Sequence, residues 1–286
     1  KSYLNTFFIL YKMGIPLFFR YLVNNYDDLL TSNKQILDCD NLYLDLNCAI
    51  HYCCREVLKD IDFNKAIQQE TEYKMIKFVI KYIEILIEYA KPKKLLYIAI
   101  DGSAPKAKLN QQRMRRFKKF YDIDKLNEIK IENNIPLDES IVWDTNAITP
   151  GTLFMDKLSK QLKSYFSKKR SYKVIISDSN IPGEGEHKLL EHLRNNYVNN
   201  EFSMIYGLDA DLIMLCLIAN KPNIFLLRET VEFDNKIHVD GYKFLYLNID
   251  NLKKNLLLEI EERLGEIHLT IEQKDNIVND YIFISF

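Results

Sequence analysis

The chain has 286 residues, room for one large domain or two small ones, and 47% of it is hydrophobic, enough for a proper core. With 28% charged residues it is expected to be soluble, yet Lys plus Arg (39) almost cancel Asp plus Glu (40). A net charge of −1 gives no general attraction to nucleic acid, so any such role must rest on local clusters of charge.

The five cysteines, Cys39, Cys48, Cys53, Cys54 and Cys216, form no C-x-x-C pair, which argues against a disulfide framework or a zinc ribbon and fits a reducing compartment. No apolar run approaches the roughly 18 residues of a membrane span. The start, KSYLNTFFILYK, is partly apolar but lacks a small-residue cleavage site, so it does not read as a signal peptide. Because the first residue is Lys, the chain is not a complete reading frame. Met13-Gly14 reads as a natural start, and residues 1–12 as a leader or upstream extension.

In chain order, helical patterns are expected near Pro16–Leu30, Asn64–Ala90, Lys106–Tyr121, Gly151–Phe166, Glu186–Asn195 and Ala210–Ile218. Between them, β-rich apolar runs predict strands at Leu42–Leu46, Leu95–Ile100, Tyr172–Ser177, Phe202–Tyr206 and Asn223–Leu227. The polar stretch Asp122–Thr149 reads as an irregular loop or insert, and Leu252–Phe286 as two helices separated near Gly265 to Leu269. This alternation predicts an α/β fold with a mostly parallel central sheet, flanked by helices on both faces.

Acidic residues stand where the predicted strands finish. Asp45 closes LYLDL, Asp101 closes LLYIAID, and Asp209 and Asp211 follow MIYGL. Glu184 and Glu186 lie in the Pro-Gly-Glu-Gly-Glu turn after the strand ending at Ser177. Open α/β sheets bind ligands beyond the carboxyl ends of their strands, so these acids are expected to converge on one rim. One such acid is an ordinary cap or turn residue. Six at four strand ends would repel one another unless hard divalent cations neutralised them. Magnesium or manganese fits, and two ions about 4 Å apart would suit phosphodiester hydrolysis.

The second cluster is Lys106–Lys119, KAKLNQQRMRRFKK, with seven basic residues, and no acid occurs from Gly102 to Tyr121. On a helix Lys108, Gln112, Arg115, Arg116 and Lys119 share one face, since they follow i, i+4, i+7, i+8 and i+11. Guanidinium forks and an ammonium suit a terminal phosphate; the plain alternative is a solvated basic face.

At these residues the chain resembles the XRN family of 5′→3′ exoribonucleases. The matching segments are Met13–Tyr21, Asn41–His51, Asp101–Phe117, Ile148–Met155, Pro182–Lys188, Gly207–Leu215 and Leu226–Glu229, in the family's order. A weaker kinship links it to flap endonucleases and other PIN-like nucleases. The resemblance implies that Asp45, Asp101, Glu184, Glu186, Asp209 and Asp211 bind the metal and carry catalysis, and that Lys108, Gln112, Arg115 and Arg116 hold a 5′-monophosphate. It implies that His51 touches the first base or scissile region and that Asn47 supports Asp45. The implied substrate is single-stranded RNA with a 5′-monophosphate, degraded to mononucleotides. An intracellular location is expected, with the cytoplasm placed ahead of the nucleus and both left open. No protein partner is implied.

Two positions depart from the family pattern: Cys48 stands where Gly is usual and Lys106 where Arg is usual. The family's next metal acids follow a helix resembling Asp280–Phe286. Residues 13–286 therefore read as the N-terminal part of a nuclease domain, with an incomplete metal site. The competing readings are a non-catalytic RNA 5′-end-binding module and a flap-type endonuclease. Trp143 reads as packing, Asp178 as a turn residue, and His187 as a helix-orienting residue. His192, His238 and His268 read as surface or satisfied histidines.

Overall fold

The computed structural model describes residues 17–26, 28–31, 39–61, 67–136, 143–229, 244–265 and 269–285. The leader 1–12, Met13-Gly14 and His238 and His268 lie outside the described residues. In chain order the elements are α1 (Phe18–Asn25), β1 (Leu30–Thr31), β2 (Asn41–Asp45), α2 (Asn47–Lys59), α3 (Gln68–Ala90), β3 (Leu95–Ala99) and α4 (Lys106–Glu132). A short 3-10 turn at Thr145–Ala147 precedes α5 (Leu153–Phe166), β4 (Lys173–Ser177), α6 (Gly185–Asn195), β5 (Ser203–Tyr206) and α7 (Asp211–Ala219). The series ends with β6 (Ile224–Glu229), β7 (Phe244–Asn248), α8 (Ile249–Leu264) and α9 (Ile271–Ser285).

Seven strands form one sheet in the order β1-β7-β6-β5-β2-β3-β4. β2 and β5 pair in parallel, as do β5 and β6, whereas β7 is antiparallel to both β6 and β1. The mostly parallel α/β architecture expected from the strand-helix alternation is present. Every residue of β2, β3 and β5 is buried, which is why these strands read as continuous apolar runs rather than as alternating ones. β4, at one end of the order, is the most exposed strand.

The chain divides into two compact units, one comprising Lys1–Leu44, Ala90–Leu96 and Leu189–Phe286, the other Asp45–Tyr89 and Tyr97–Lys188. In the first, the parallel register sets Leu44 opposite Tyr206 and Ile205 opposite Leu226, so β2 and β5 finish side by side. Leu42, Leu44, Leu212, Ile213, Leu226 and Leu247 are fully buried there. Burying a side chain of this size stabilises the fold by about 1.5–3 kcal/mol before entropy is counted. α8 opens with the Asn248 side chain accepting from the Asn251 N–H and stops at Gly265, whose φ of 80° favours glycine.

In the second unit α3 buries Tyr82, Ile83 and Leu86 and α5 buries Phe154, Leu158 and Leu162, and Glu72 of α3 pairs with Lys157 of α5 at 2.8 Å. Thr152 caps α5 by accepting the Met155 N–H. Trp143 is buried and meets Phe154 edge-on at 5.0 Å, so it is a packing residue.

The principal departure from expectation is α4, which runs on to Glu132 through a stretch that reads as irregular. Its distal half is exposed on nearly every side, so no buried face imposes a 3.6-residue apolar stripe. Residues of good helix propensity and ion pairs such as Lys125 to Glu128 sustain it instead. β1 and β7 were not expected at all, and their antiparallel pairing extends the parallel core.

Candidate active site

Ten of the twelve residues that the sequence singles out belong to the second unit. Asp45 is the last residue of β2, 5% exposed, between the fully buried Leu44 and Leu46. Asp101 lies just beyond β3, where its backbone N–H donates to the Asn47 side-chain oxygen at 3.1 Å. Asn47 thus braces Asp101 from the start of α2.

The Pro-Gly-Glu-Gly-Glu turn delivers the next two acids. Glu184 is 9% exposed, and Gly185 opens α6 with its N–H donating to Asp101 Oδ1 at 2.6 Å. A Cβ on Gly185 would lie 2.5 Å from Asp45 Oδ1 and 3.4 Å from Asp101 Oδ1. Both carboxylates therefore crowd onto the one surface of the turn that has no side chain. Glu186 follows in the first turn of α6, and donor atoms of Glu184, Glu186 and His187 lie within 4.8 Å of one another. His187 is exposed and 3.9 Å from Glu184.

Lys188 escaped the sequence reading, although it closes the same motif. Only 6% exposed, its ammonium donates to the carbonyls of Ile100 at 2.8 Å and Asp178 at 2.9 Å. It thereby ties together the carboxyl ends of β3 and β4 immediately beside Asp101. Burial holds its pKa below the usual lysine value, against the raising influence of Asp101 and Asp178. Asp178 is the expected turn residue, accepting from the Asn180 N–H and pairing with Lys163 at 2.5 Å. Burial pushes its carboxyl up, but the Lys163 pair and the Asn180 hydrogen bonds outweigh that and leave it below the usual range.

The basic helix is anchored to the acids. α4 begins at Lys106, and Lys108 reaches Glu184 at 3.2 Å. Gln112 and Arg116 are half-buried on the same helix face, and Arg115 is exposed. From Lys108 to Arg116 the helix rises about 12 Å, long enough to line a pocket that starts at the acid turn. The Lys119 side chain lies outside the described residues. His51, also in this unit, is exposed on α2 one turn beyond Asn47.

Asp209 and Asp211 belong to the first unit. They stand between β5 and α7, with Asp211 the first residue of the helix, where its charge complements the helix N-terminus. The loop is held by Arg228, a second residue missed in the sequence. Arg228 is 3% exposed, stacks over Phe19 at 4.4 Å and donates to the carbonyls of Leu208 and Asp209. Neighbouring Glu229 accepts from the Tyr206 hydroxyl at 2.8 Å.

All donors brought together in the second unit are carboxylate oxygens, apart from the exposed His187. No disulfide joins the cysteines among the described residues. Hard, oxygen-seeking divalent cations fit such a set, and softer metals do not.

Residues 13–230 match the family described as XRN 5′-3′ exonuclease N-terminus. The chain is 38% identical to 5′-3′ exoribonuclease 1 of Saccharomyces cerevisiae, an alignment covering 96% of this chain and 19% of that protein. It is 34% identical to 5′-3′ exoribonuclease 2 of Schizosaccharomyces pombe, covering 91% of this chain and 30% of that one. The chain thus spans about a fifth to a third of the length of these relatives. Among solved structures, the catalytic core of Rad2 in complex with DNA substrate aligns at a TM-score of 0.45 and 15% identity, over 85% of this chain and 58% of that chain.

Proposed function

We infer, from the premise that this chain belongs to the family of the XRN 5′-3′ exonuclease N-terminus, that it supplies the acid cluster and the 5′-end pocket of an exoribonuclease. The substrate is single-stranded RNA bearing a 5′-monophosphate, and the products are mononucleotides released in the 5′→3′ direction.

The observation that carries this reading is the Lys108–Glu184 ion pair at 3.2 Å. It joins the row of phosphate-binding cations directly to the acid turn, so a terminal phosphate held by α4 lies next to the hydrolytic residues. Lys108, Gln112, Arg115 and Arg116 donate to the terminal phosphate oxygens, a geometry that guanidinium forks serve well. Four such side chains match the oxygens of a monophosphate, and capped or triphosphorylated ends are proposed to be excluded. His51, exposed on α2 one turn beyond Asn47, would contact the first base.

Asp45, Asp101, Glu184 and Glu186 of the second unit, and Asp209 and Asp211 of the first, are each proposed as ligands of divalent magnesium or manganese, with two ions in the complete protein. Such ions supply Lewis-acid stabilisation of charge on the phosphoryl oxygens. The chain's own residues do the rest. Asn47, the Gly185 N–H and Lys188 fix the Asp101 segment, Arg228 fixes the Asp209 segment, and the basic helix aligns the first phosphodiester for attack.

The test compares matched 5′-monophosphorylated and 5′-hydroxyl RNAs, with magnesium, by following mononucleotide release. Selective degradation of the monophosphorylated RNA is the expected result, abolished by Asp209→Asn with Asp211→Asn while RNA binding persists. End-dependent binding without hydrolysis would replace this reading with an RNA-end-binding module. Internal cuts in either RNA would replace it with an endonuclease.

A further inference from the structure

Outside the acid cluster, the second unit holds an open groove of about 350 Å³ between the carboxyl end of α2 and the outer face of α3. Its floor is apolar, made by Val57, Ile61 and Phe78, and its rim carries Lys74, Lys77 and Lys81, with Asp60 as the acid on the lining. The three lysines follow i, i+3 and i+7, so they stand in one row on α3, rising about 10 Å along its axis. Among the described residues none of the three has an ion-pair partner, while Lys77 covers the Tyr73 ring at 4.5 Å. Of the four acids on α3, Glu72 pairs with Lys157 at 2.8 Å and Glu84 with Arg170 at 2.5 Å, while Glu70 and Glu88 form no ion pair with the row among the described residues. Like charges at this spacing on a helix repel one another. An uncompensated row of this kind is matched by an anionic partner.

The groove also has a physical link to the 5′-end site. On α2, His51, Arg55 and Lys59 are all exposed and follow i, i+4 and i+8, one stripe that ends beside the groove lining, where Lys59 also pairs with Glu56 at 2.6 Å. From His51 to Lys59 the helix rises about 12 Å. A strand whose first base meets His51 therefore finds a cationic track leading to the lysine rim and the Phe78 floor.

We propose that this groove binds the RNA strand downstream of the 5′ end, with a base against the apolar floor around Phe78 and phosphates on Lys74, Lys77 and Lys81. The inference rests on the RNA 5′-end reading above. An apolar floor inside a cationic rim is the arrangement that single-stranded nucleic acid requires, since every base offers a stacking face and every linkage a charge. Specificity for a base is not implied; the groove adds grip that grows with strand length.

The test is the triple variant Lys74→Gln, Lys77→Gln, Lys81→Gln, all exposed positions, with thermal unfolding as a check that the fold is intact. Binding is measured by fluorescence anisotropy in EDTA, with a 5′-phosphorylated dinucleotide and with a longer 5′-phosphorylated oligonucleotide of the same composition. The expected result is unchanged dinucleotide binding and weakened binding of the long strand. With about 0.7 counterions released per single-strand phosphate contact, three contacts correspond to a roughly hundredfold loss at about 0.1 M salt. The slope of log affinity against log salt should flatten by about 2 for the same reason. Unchanged long-strand affinity and salt slope, with the preference for a 5′-phosphate kept, would overturn the groove and leave the 5′-end reading standing. Loss of binding to polyglutamate but not to RNA would assign the groove to an acidic protein and also overturn the proposal. If the unsubstituted protein shows no preference for a 5′-phosphate and no RNA affinity, the groove and the 5′-end reading fall together.

Discussion

Replacing Gly185 by alanine should separate catalysis from stability. The new Cβ would lie 2.5 Å from Asp45 Oδ1, against the roughly 3.4 Å of ordinary contact, so one partner must yield by about 0.9 Å. The partner is a carboxylate, not a backbone atom. Asp45 sits at 5% exposure between Leu44 and Leu46, both fully buried, so its side chain has little room to swing outward. The methyl also presses toward Asp101 Oδ1, which already accepts the Gly185 N–H at 2.6 Å. A displacement near 1 Å in a catalytic group costs on the order of a hundredfold in rate. The helix itself loses nothing, because alanine is favoured over glycine by up to about 1 kcal/mol in helical positions. The expected result is a turnover rate lowered about a hundredfold, weaker magnesium affinity by calorimetry, and a melting temperature within a few degrees of the parent. Parental turnover together with parental magnesium affinity would refute the crowding of carboxylates at this turn. A collapse of the melting temperature would also refute it, by placing the strain in the backbone.

Gly102→Ala is the contrasting case: its Cβ would fall 1.9 Å from the Ile181 carbonyl oxygen, a backbone atom, so stability should drop by about 1–3 kcal/mol or more in urea unfolding. A parental urea midpoint would show that the Ile181 segment gives way freely. Lys188→Met keeps the side-chain bulk but leaves the carbonyls of Ile100 and Asp178 without their ammonium donor. The Asp178 carbonyl keeps the Ile181 N–H at 3.1 Å, so the loss falls mainly on the Ile100 carbonyl and should be about 1–3 kcal/mol at most, less the relief from burying a charge. An unchanged unfolding free energy would contradict the brace. Asp178 has a folded pKa below its unfolded value, so its contribution is present above about pH 3.9 and is lost as pH falls through the lower folded value. Asp178→Asn should therefore flatten the acid limb of stability against pH, and an acid limb as steep as the parent's would count against the Lys163 pair.

The acids were legible because a buried parallel strand has a signature of its own. β2, β3 and β5 are buried along their whole length and rich in apolar residues, and an acid either closes the strand, as Asp45 does in β2, or follows within a few residues, so the strand end and the charge are read together. The basic row on α4 was legible for a similar reason, since its spacing is set by one helix alone. Arg228 and Lys188 were not. Each serves carbonyls that lie far away along the chain, Lys188 at Ile100 and Arg228 at Leu208 and Asp209. Nothing local distinguishes such a cation from one on the surface. The distal half of α4 failed differently, because a helix that buries no face writes no period.

The turn Pro182–Glu186 shows where the boundary of legibility runs. Its two glycines look alike in sequence and both suit a tight turn. Gly183 is needed for its backbone, with φ at 105°, in a region that side chains rarely adopt. Gly185 carries no such strain, since its φ is not among the positive ones, and it is needed because two carboxylates occupy the space of its missing side chain. One glycine shapes the loop and the other makes room for the acids. Glu184 and Glu186 flank the second one along the chain, so two further acids adjoin the residue at which the Asp45 and Asp101 carboxylates meet. The spacing of the acids in the chain announces a cluster, but only the packing shows that the residue between them is as much a part of it as they are.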